Sequence, residues 1–166
     1  DKKVEYCQII IKFFHTPSDP KSTLSSMIQA IQWAILQDVD VINISAGGPD
    51  YDSTEASLIK EALDKGIVVV AAAGNDGRPL KDKNIKPYVK TTTFYPAQYD
   101  SRIIVVGNGS SEQKRSDSSN YGTQVDVWEN GDHALSLGLL TTSILSGTSQ
   151  STAIFTGKFI KQQLSH

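Results

Sequence analysis

The stretch Ser146-Gly147-Thr148-Ser149-Gln150-Ser151-Thr152-Ala153 sets a serine hydroxyl at a Gly-Thr-Ser turn that opens a helix. Free backbone N–H groups and the positive end of the helix dipole lie close to such a hydroxyl. That setting suits a nucleophile whose attack builds an oxyanion. Ser and Thr are also preferred N-cap residues, so plain helix capping is a second reading of Thr148 and Ser149. Two further segments, Ser45-Ala46-Gly47-Gly48 and Ala72-Ala73-Gly74-Asn75, each end a run of apolar residues. The first is small and glycine-rich, so a ligand backbone could lie against it. The second places an amide donor, Asn75, at a strand end, although Asn is a common turn residue as well. Sites in open α/β sheets lie beyond the carboxyl ends of the strands. A nucleophile, an amide donor and a flat edge for an extended peptide together make an acyl-transfer site.

Alternating strands and helices must hold these three segments together. Residues 6–14, rich in β-branched and aromatic side chains, read as a strand, and residues 15–21, with two prolines, as a loop. Leu24, Met27, Ile28, Ile31, Ala34 and Ile35 recur at three- and four-residue spacing and predict a helix over 22–37. Residues 39–45 are a short, mostly apolar strand of the kind buried on both faces. An Asp52…Glu55 capping box opens a second helix over 53–65, and Gly66 stops it. Residues 67–73 form another buried strand ending in the turn Gly74-Asn75-Asp76-Gly77. Residues 78–94, with five Lys or Arg, read as a solvated surface loop. A fourth strand is expected over 103–107, a candidate fifth over 125–128, an irregular hairpin over 134–144 around Gly138, and a last helix over 148–164. Strand, helix, strand, helix, strand is the pattern of a parallel sheet with right-handed crossovers, an α/β fold.

Composition narrows the function classes. The 166 residues suit one domain with a core, and no internal boundary is visible. With 39% apolar and 20% charged residues the chain is globular. Sixteen basic and eighteen acidic residues give a net charge of −2, which points to neither nucleic acid nor an anionic membrane as partner. The longest apolar runs are far too short to span a bilayer. A single cysteine, Cys7, excludes an internal disulfide and a Cys-based metal cluster, and its apolar neighbours suggest an inert core residue. The chain starts at Asp1 with neither a methionine nor a signal peptide, so a piece of a longer product is expected.

Four segments, in order, resemble the subtilisin-like serine proteases. Val41-Ile42-Asn43-Ile44-Ser45-Ala46-Gly47-Gly48 is similar to the family's substrate-binding strand. Residues 66–75 are similar to the strand that ends in the oxyanion-hole asparagine. Tyr95-Pro96-Ala97 and residues 103–107 resemble the next strand and its approach, and Gly147-Thr148-Ser149 the nucleophile motif. The resemblance implies a three-layer subtilisin-like fold, truncated, with Ser149 as nucleophile and Asn75 as oxyanion donor. Ser45, Ala46, Gly47, Gly48, Ala72, Ala73 and Gly74 would line a cleft that holds substrate as an added strand. Asp76 would lie by the pocket for the residue before the cut and favour a basic or polar side chain there, unless it is a solvated turn residue.

The chain also departs from that family. It has neither the Asp-Thr/Ser-Gly turn nor the His-Gly-Thr-His helix start, and Ser151-Thr152-Ala153-Ile154 stands where Ala-Ser-Pro-His is usual. None of His15, His133 and His166 matches the family's base. The resemblance therefore implies a serine endopeptidase whose Asp and His come from an upstream segment or second chain, an N-terminal fragment of the same precursor. The alternative is a pseudoprotease that binds peptides or proteins. No cofactor is implied, a structural calcium is not readable, and a secreted or extracytoplasmic location follows from the resemblance alone. In the family, the strand bearing the Asp lies between those matching residues 9–14 and 39–45. A partner segment is accordingly expected to lie parallel between these two strands. Direct pairing of residues 9–14 with 39–45, or detachment of the first strand, are the other remedies.

Overall fold

Runs of Val, Ile and Ala too short for helices make the sheet at the centre of the molecule. The computed structural model describes residues 6–13, 20–137 and 141–164. Strands β1 (Val41–Ile44), β2 (Val68–Ala72), β3 (Ile104–Asn108) and β4 (Val127–Glu129) form one parallel sheet in the order β1-β2-β3-β4. The register pairs Val41 with Val68, Val70 with Ile104, and Val106 with Val127. Alternate side chains go to opposite faces. Val69, Ala71 and Ala73 join a core with Ile31, Ala34 and Ile35 of helix α1 (Pro20–Leu36) and Ile59 and Ala62 of helix α2 (Ser53–Asp64). The other face carries helix α3 (Thr148–Gln163), which packs across all four strands. Helices on both sides of a parallel sheet give the expected three layers. Asp52 caps α2 by accepting from the N–H groups of Thr54 and Glu55, but the return bond of the expected capping box is replaced: the Asp52 N–H donates to the Tyr99 hydroxyl.

The hairpin around Gly138 comprises β5 (Ala134–Leu137) and β6 (Thr142–Leu145), paired antiparallel; its tip falls outside the described residues. The expected strand over 6–14 is not formed. Residues 6–13 carry no ladder and Ile10 is 83% exposed, while Phe14 lies outside the described residues. A β-rich composition makes a strand only where a neighbour offers backbone partners. Cys7, expected in the core, is exposed for the same reason. Of the described residues only β2 pairs with β1. The other edge of β1 borders a cavity of about 1310 Å³, walled also by residues 6–13, α1 and the end of α3.

Beside the N-terminus of α2, three tyrosine rings (Tyr51, Tyr95 and Tyr99) pack within 4.7–5.6 Å of one another. The Tyr99 hydroxyl donates to Glu55 Oε2 at 2.6 Å and accepts from the Asp52 N–H at 3.1 Å. Glu55 is buried, and no described residue pairs with its Oε1. Burial raises the Glu55 carboxyl above its ordinary range, and the Asp52 charge adds to this; the Tyr99 hydrogen bond offsets only part. A carboxyl raised in the folded state stabilises most below its unfolded value, and that contribution is lost as pH rises through the folded value. Glu55→Gln should therefore melt higher than the wild type at about pH 8, with the gap closing toward about pH 4. Melting curves at both values check this; a gap independent of pH would count against it.

Candidate active site

The turn before α3 decides how Ser149 is held. Gly147 is the residue that opens the helix, at φ 145°, and no side chain caps it. Capping is thus not what Thr148 and Ser149 do. The Ser149 Oγ donates to the Ser45 carbonyl at 2.8 Å, and Ser45 Oγ donates to the Ser149 carbonyl at 3.0 Å. Asn43 Nδ2 supports Ser45 Oγ at 3.0 Å, and Thr156 of α3 donates to Asn43 Oδ1 at 2.9 Å. The strand end and the helix start are thereby locked together. A peptide carbonyl accepts a hydrogen bond but is no base for a serine proton at neutral pH, so this arrangement positions the hydroxyl without activating it.

Asn75 meets the same helix start. Thr148 donates to Asn75 Oδ1 from its backbone N–H at 3.0 Å and from its hydroxyl at 3.1 Å. A backbone N–H can only donate, so the amide is oriented with its oxygen on Thr148 and its NH₂ group turned elsewhere. Asn75 is exposed and Ser149 half-buried. An amide donor and a hydroxyl nucleophile on neighbouring turns are what an oxyanion-stabilising site requires.

His133 is exposed, with φ 55°, and its backbone N–H donates to Ser146 Oγ at 2.9 Å. Among the described residues no hydrogen bond joins its ring to Ser149. His15 and His166 lie outside the described residues.

The segments expected to line a cleft flank this pair. The Gly48 N–H and carbonyl both bond to Tyr95, at 3.0 and 2.8 Å. Ala46 is half-buried and Gly47 exposed, so this part of the segment is open to solvent. Ala72 and Ala73 are buried, and the Ala73 N–H donates to the Val106 carbonyl at 3.0 Å. Ala73 and Gly74 both give their carbonyls to Asn120, so the stretch forms a floor rather than a second hydrogen-bonding edge.

The sequence profile of the subtilase family matches residues 6–163. The chain belongs to the subtilase family. It is 35% identical to subtilisin DY of Bacillus licheniformis over 136 residues, 81% of this chain and 46% of that protein. It is 39% identical to the thermophilic serine proteinase of Bacillus sp. (strain AK1) over 105 residues, 63% of this chain and 23% of that protein. Among solved structures, a cold adapted subtilisin-like serine proteinase superposes with a TM-score of 0.71 at 25% identity, covering 86% of this chain and 48% of that one. The prenylagaramide maturation protease PagA gives 0.64 at 26%, covering 80% and 46%. The chain spans about half the length of subtilisin DY.

Reading the sequence missed the part that three residues play around the candidate site. Thr148 passed for a cap because Thr so often is one, yet it is the clamp on Asn75. Phe94 lay at the end of a basic loop, with nothing local to set it apart. Asn120 sits in a Ser-rich stretch to which the sequence reading assigned no element, and it is fully buried. Its Oδ1 accepts from the N–H groups of Asp76 (3.0 Å) and Arg78 (3.3 Å), and its Nδ2 donates to the Ala73 carbonyl (2.9 Å) and Asp76 Oδ2 (3.2 Å). Thr92 also donates to Asp76 Oδ2, at 3.2 Å. Asn120 therefore shapes the turn that carries Asn75. Asn120→Ala should lower stability by about 3 kcal/mol, at about 1–3 kcal/mol for each buried group left unpaired. Denaturant titration reads this directly, and a loss under about 0.5 kcal/mol, the range of an ordinary surface change, would show that water replaces the side chain.

Among the described residues no group of three or more His, Cys, Asp or Glu is placed to hold a metal. No described helix is long and apolar enough to cross a membrane.

Proposed function

We propose that this chain is the nucleophile-bearing part of a serine endopeptidase, in which Ser149 attacks the scissile carbonyl and Asn75 Nδ2 stabilises the resulting oxyanion. The observation that carries the reading is the double hydrogen bond from Thr148 to Asn75 Oδ1, which commits the amide's NH₂ group as a donor beside the Ser149 turn. The base and its carboxylate partner come from another segment of the same precursor, which also supplies a strand along β1. Supporting this, the free edge of β1 faces a cavity of about 1310 Å³ lined by apolar side chains, among them Ile9, Ile11, Trp33 and Val41. An inserted strand satisfies the backbone groups of that edge and covers this apolar wall. The substrate is a peptide or protein lying against residues 45–48.

A second reading, a peptide-binding pseudoprotease, is favoured by one observation: the Ser149 hydroxyl is spent on the Ser45 carbonyl. Labelling of the full-length gene product with a fluorophosphonate separates the two. Rapid modification of Ser149, lost in Ser149→Ala, supports the endopeptidase. An unmodified serine in a folded, peptide-binding protein supports the second reading.

A further inference from the structure

Two glycines, one at the end of each strand that borders the cleft, leave a slot between them, and one aromatic ring fills it. A Cβ added at Gly47 would meet the Tyr95 carbonyl oxygen first, and then Phe94 Cε1 at 2.7 Å and Cζ at 3.0 Å. A Cβ added at Gly74 would lie 2.5 Å from Asn120 Nδ2, 2.6 Å from Phe94 Cδ2 and 2.8 Å from Cγ. Opposite edges of one ring therefore touch the two backbones, and the ring spans the gap. Gly74 also has φ +94°, a second reason for glycine there.

Phe94 is fixed in this place. Its N–H donates to Gln98 Oε1 at 2.9 Å, and Gln98 Nε2 donates to the Lys81 carbonyl at 3.0 Å. The next residue, Tyr95, is bonded to Gly48 through both backbone groups. The ring packs against the main core cluster. It is a half-buried part of the wall and not a loose side chain at a loop tip.

The slot adjoins the reacting groups. Gly47 is two residues from Ser45, whose carbonyl holds Ser149 Oγ, and Gly74 is next to Asn75. A peptide whose carbonyl reached Asn75 Nδ2 and Ser149 would bring the side chain of that residue next to this slot. We propose that Phe94 plugs the slot and restricts the residue on the acyl side of the cut to glycine, alanine or serine. This rests on the reading above that the cleft takes a peptide. Asp76, expected from sequence to draw a basic side chain, has Oδ2 engaged by Thr92 and Asn120, and the ring rather than that carboxylate closes the slot.

The test uses full-length protein, wild type, Phe94→Ala and Phe94→Leu, with N-acetylated tripeptides ending in Ala or Phe. Binding is read by calorimetry, and kcat/KM on the corresponding peptide amides. Wild type should favour Ala over Phe by at least about tenfold in both readouts, since even one methylene more or less in a hydrophobic pocket is worth about 10–200-fold. Phe94→Ala should reverse the order, and Phe94→Leu should fall between while keeping the core filled. Equal binding of the two tripeptides by wild type, or an unchanged order in Phe94→Ala protein that melts cooperatively, overturns the proposal. Retained binding preference with no hydrolysis by any variant overturns the endopeptidase reading alone and leaves the plug standing.

Discussion

On the endopeptidase reading proposed above, replacing Ser149 with alanine in the full-length protein should lower turnover by ~10⁶, and the 166-residue chain assayed by itself should sit on the same floor. The magnitude is the one known for subtilisin, where loss of the serine or the histidine alone costs about as much as loss of the whole triad; it is not obtained from the present geometry. What the geometry contributes is the reason. Ser149 Oγ donates to the Ser45 carbonyl oxygen, 2.8 Å away. Nothing on that line can accept the proton as Oγ attacks. Activation needs a base that draws the hydroxyl off the carbonyl, and the described residues place none there. Hydrolysis of a chromogenic peptide, with the isolated chain and the complete enzyme side by side, measures the difference. Fluorophosphonate labelling of the isolated chain at the rate of the complete enzyme would refute it and make His133 the first candidate base.

Asn75→Ala should cost ~10²–10³ in kcat with KM nearly unchanged, the range known for subtilisin's own oxyanion asparagine. A donor that meets charge only in the transition state contributes to turnover and little to ground-state binding. The orientation of the amide is what makes the effect large. Thr148 fixes Oδ1 with two donors, so Nδ2 is aimed before substrate arrives. Thr148→Val removes one of the two and should show a smaller loss in kcat. Truncating Asn75 also removes the acceptor of the buried Thr148 N–H and hydroxyl, so a stability loss of about 1–3 kcal/mol should accompany the loss in kcat. Unchanged turnover with a large drop in stability would identify Asn75 as a turn residue and nothing more.

The sequence carried the sheet because buried parallel strands are written as unbroken apolar runs, which few other contexts tolerate. Residues 67–73 and 103–106 are such runs, and the Gly-Asn turn at 74–75 directly follows the first. Residues 6–14 have the same composition but no ladder over the described part, because pairing is a property of two segments and only one is written there. Phe94 was hidden for a related reason. Its role depends on Gly47 and Gly74 converging from other strands, and a ring at the end of a basic loop carries no mark of that. Helix α3 illustrates a third limit. Its buried residues are Thr148, Ser151, Thr152 and Thr156, hydroxyls that bond to neighbouring backbone or to Asn43 and Asn75. A helix that buries hydroxyls in this way has a weak apolar stripe, so its inward face cannot be found from periodicity.

The free edge of β1 bears on how the chain behaves in concentrated solution. Val41-Ile42-Asn43-Ile44 has no charge, no proline and no bulge, the usual guards against strand-to-strand association. Ile9, Ile10, Trp33 and Leu36 are exposed as well. Whatever first presents an extended backbone to this edge, another copy included, finds a flat and sticky template. Self-association of this chain should therefore grow with concentration, and a segment that occupies the edge should suppress it.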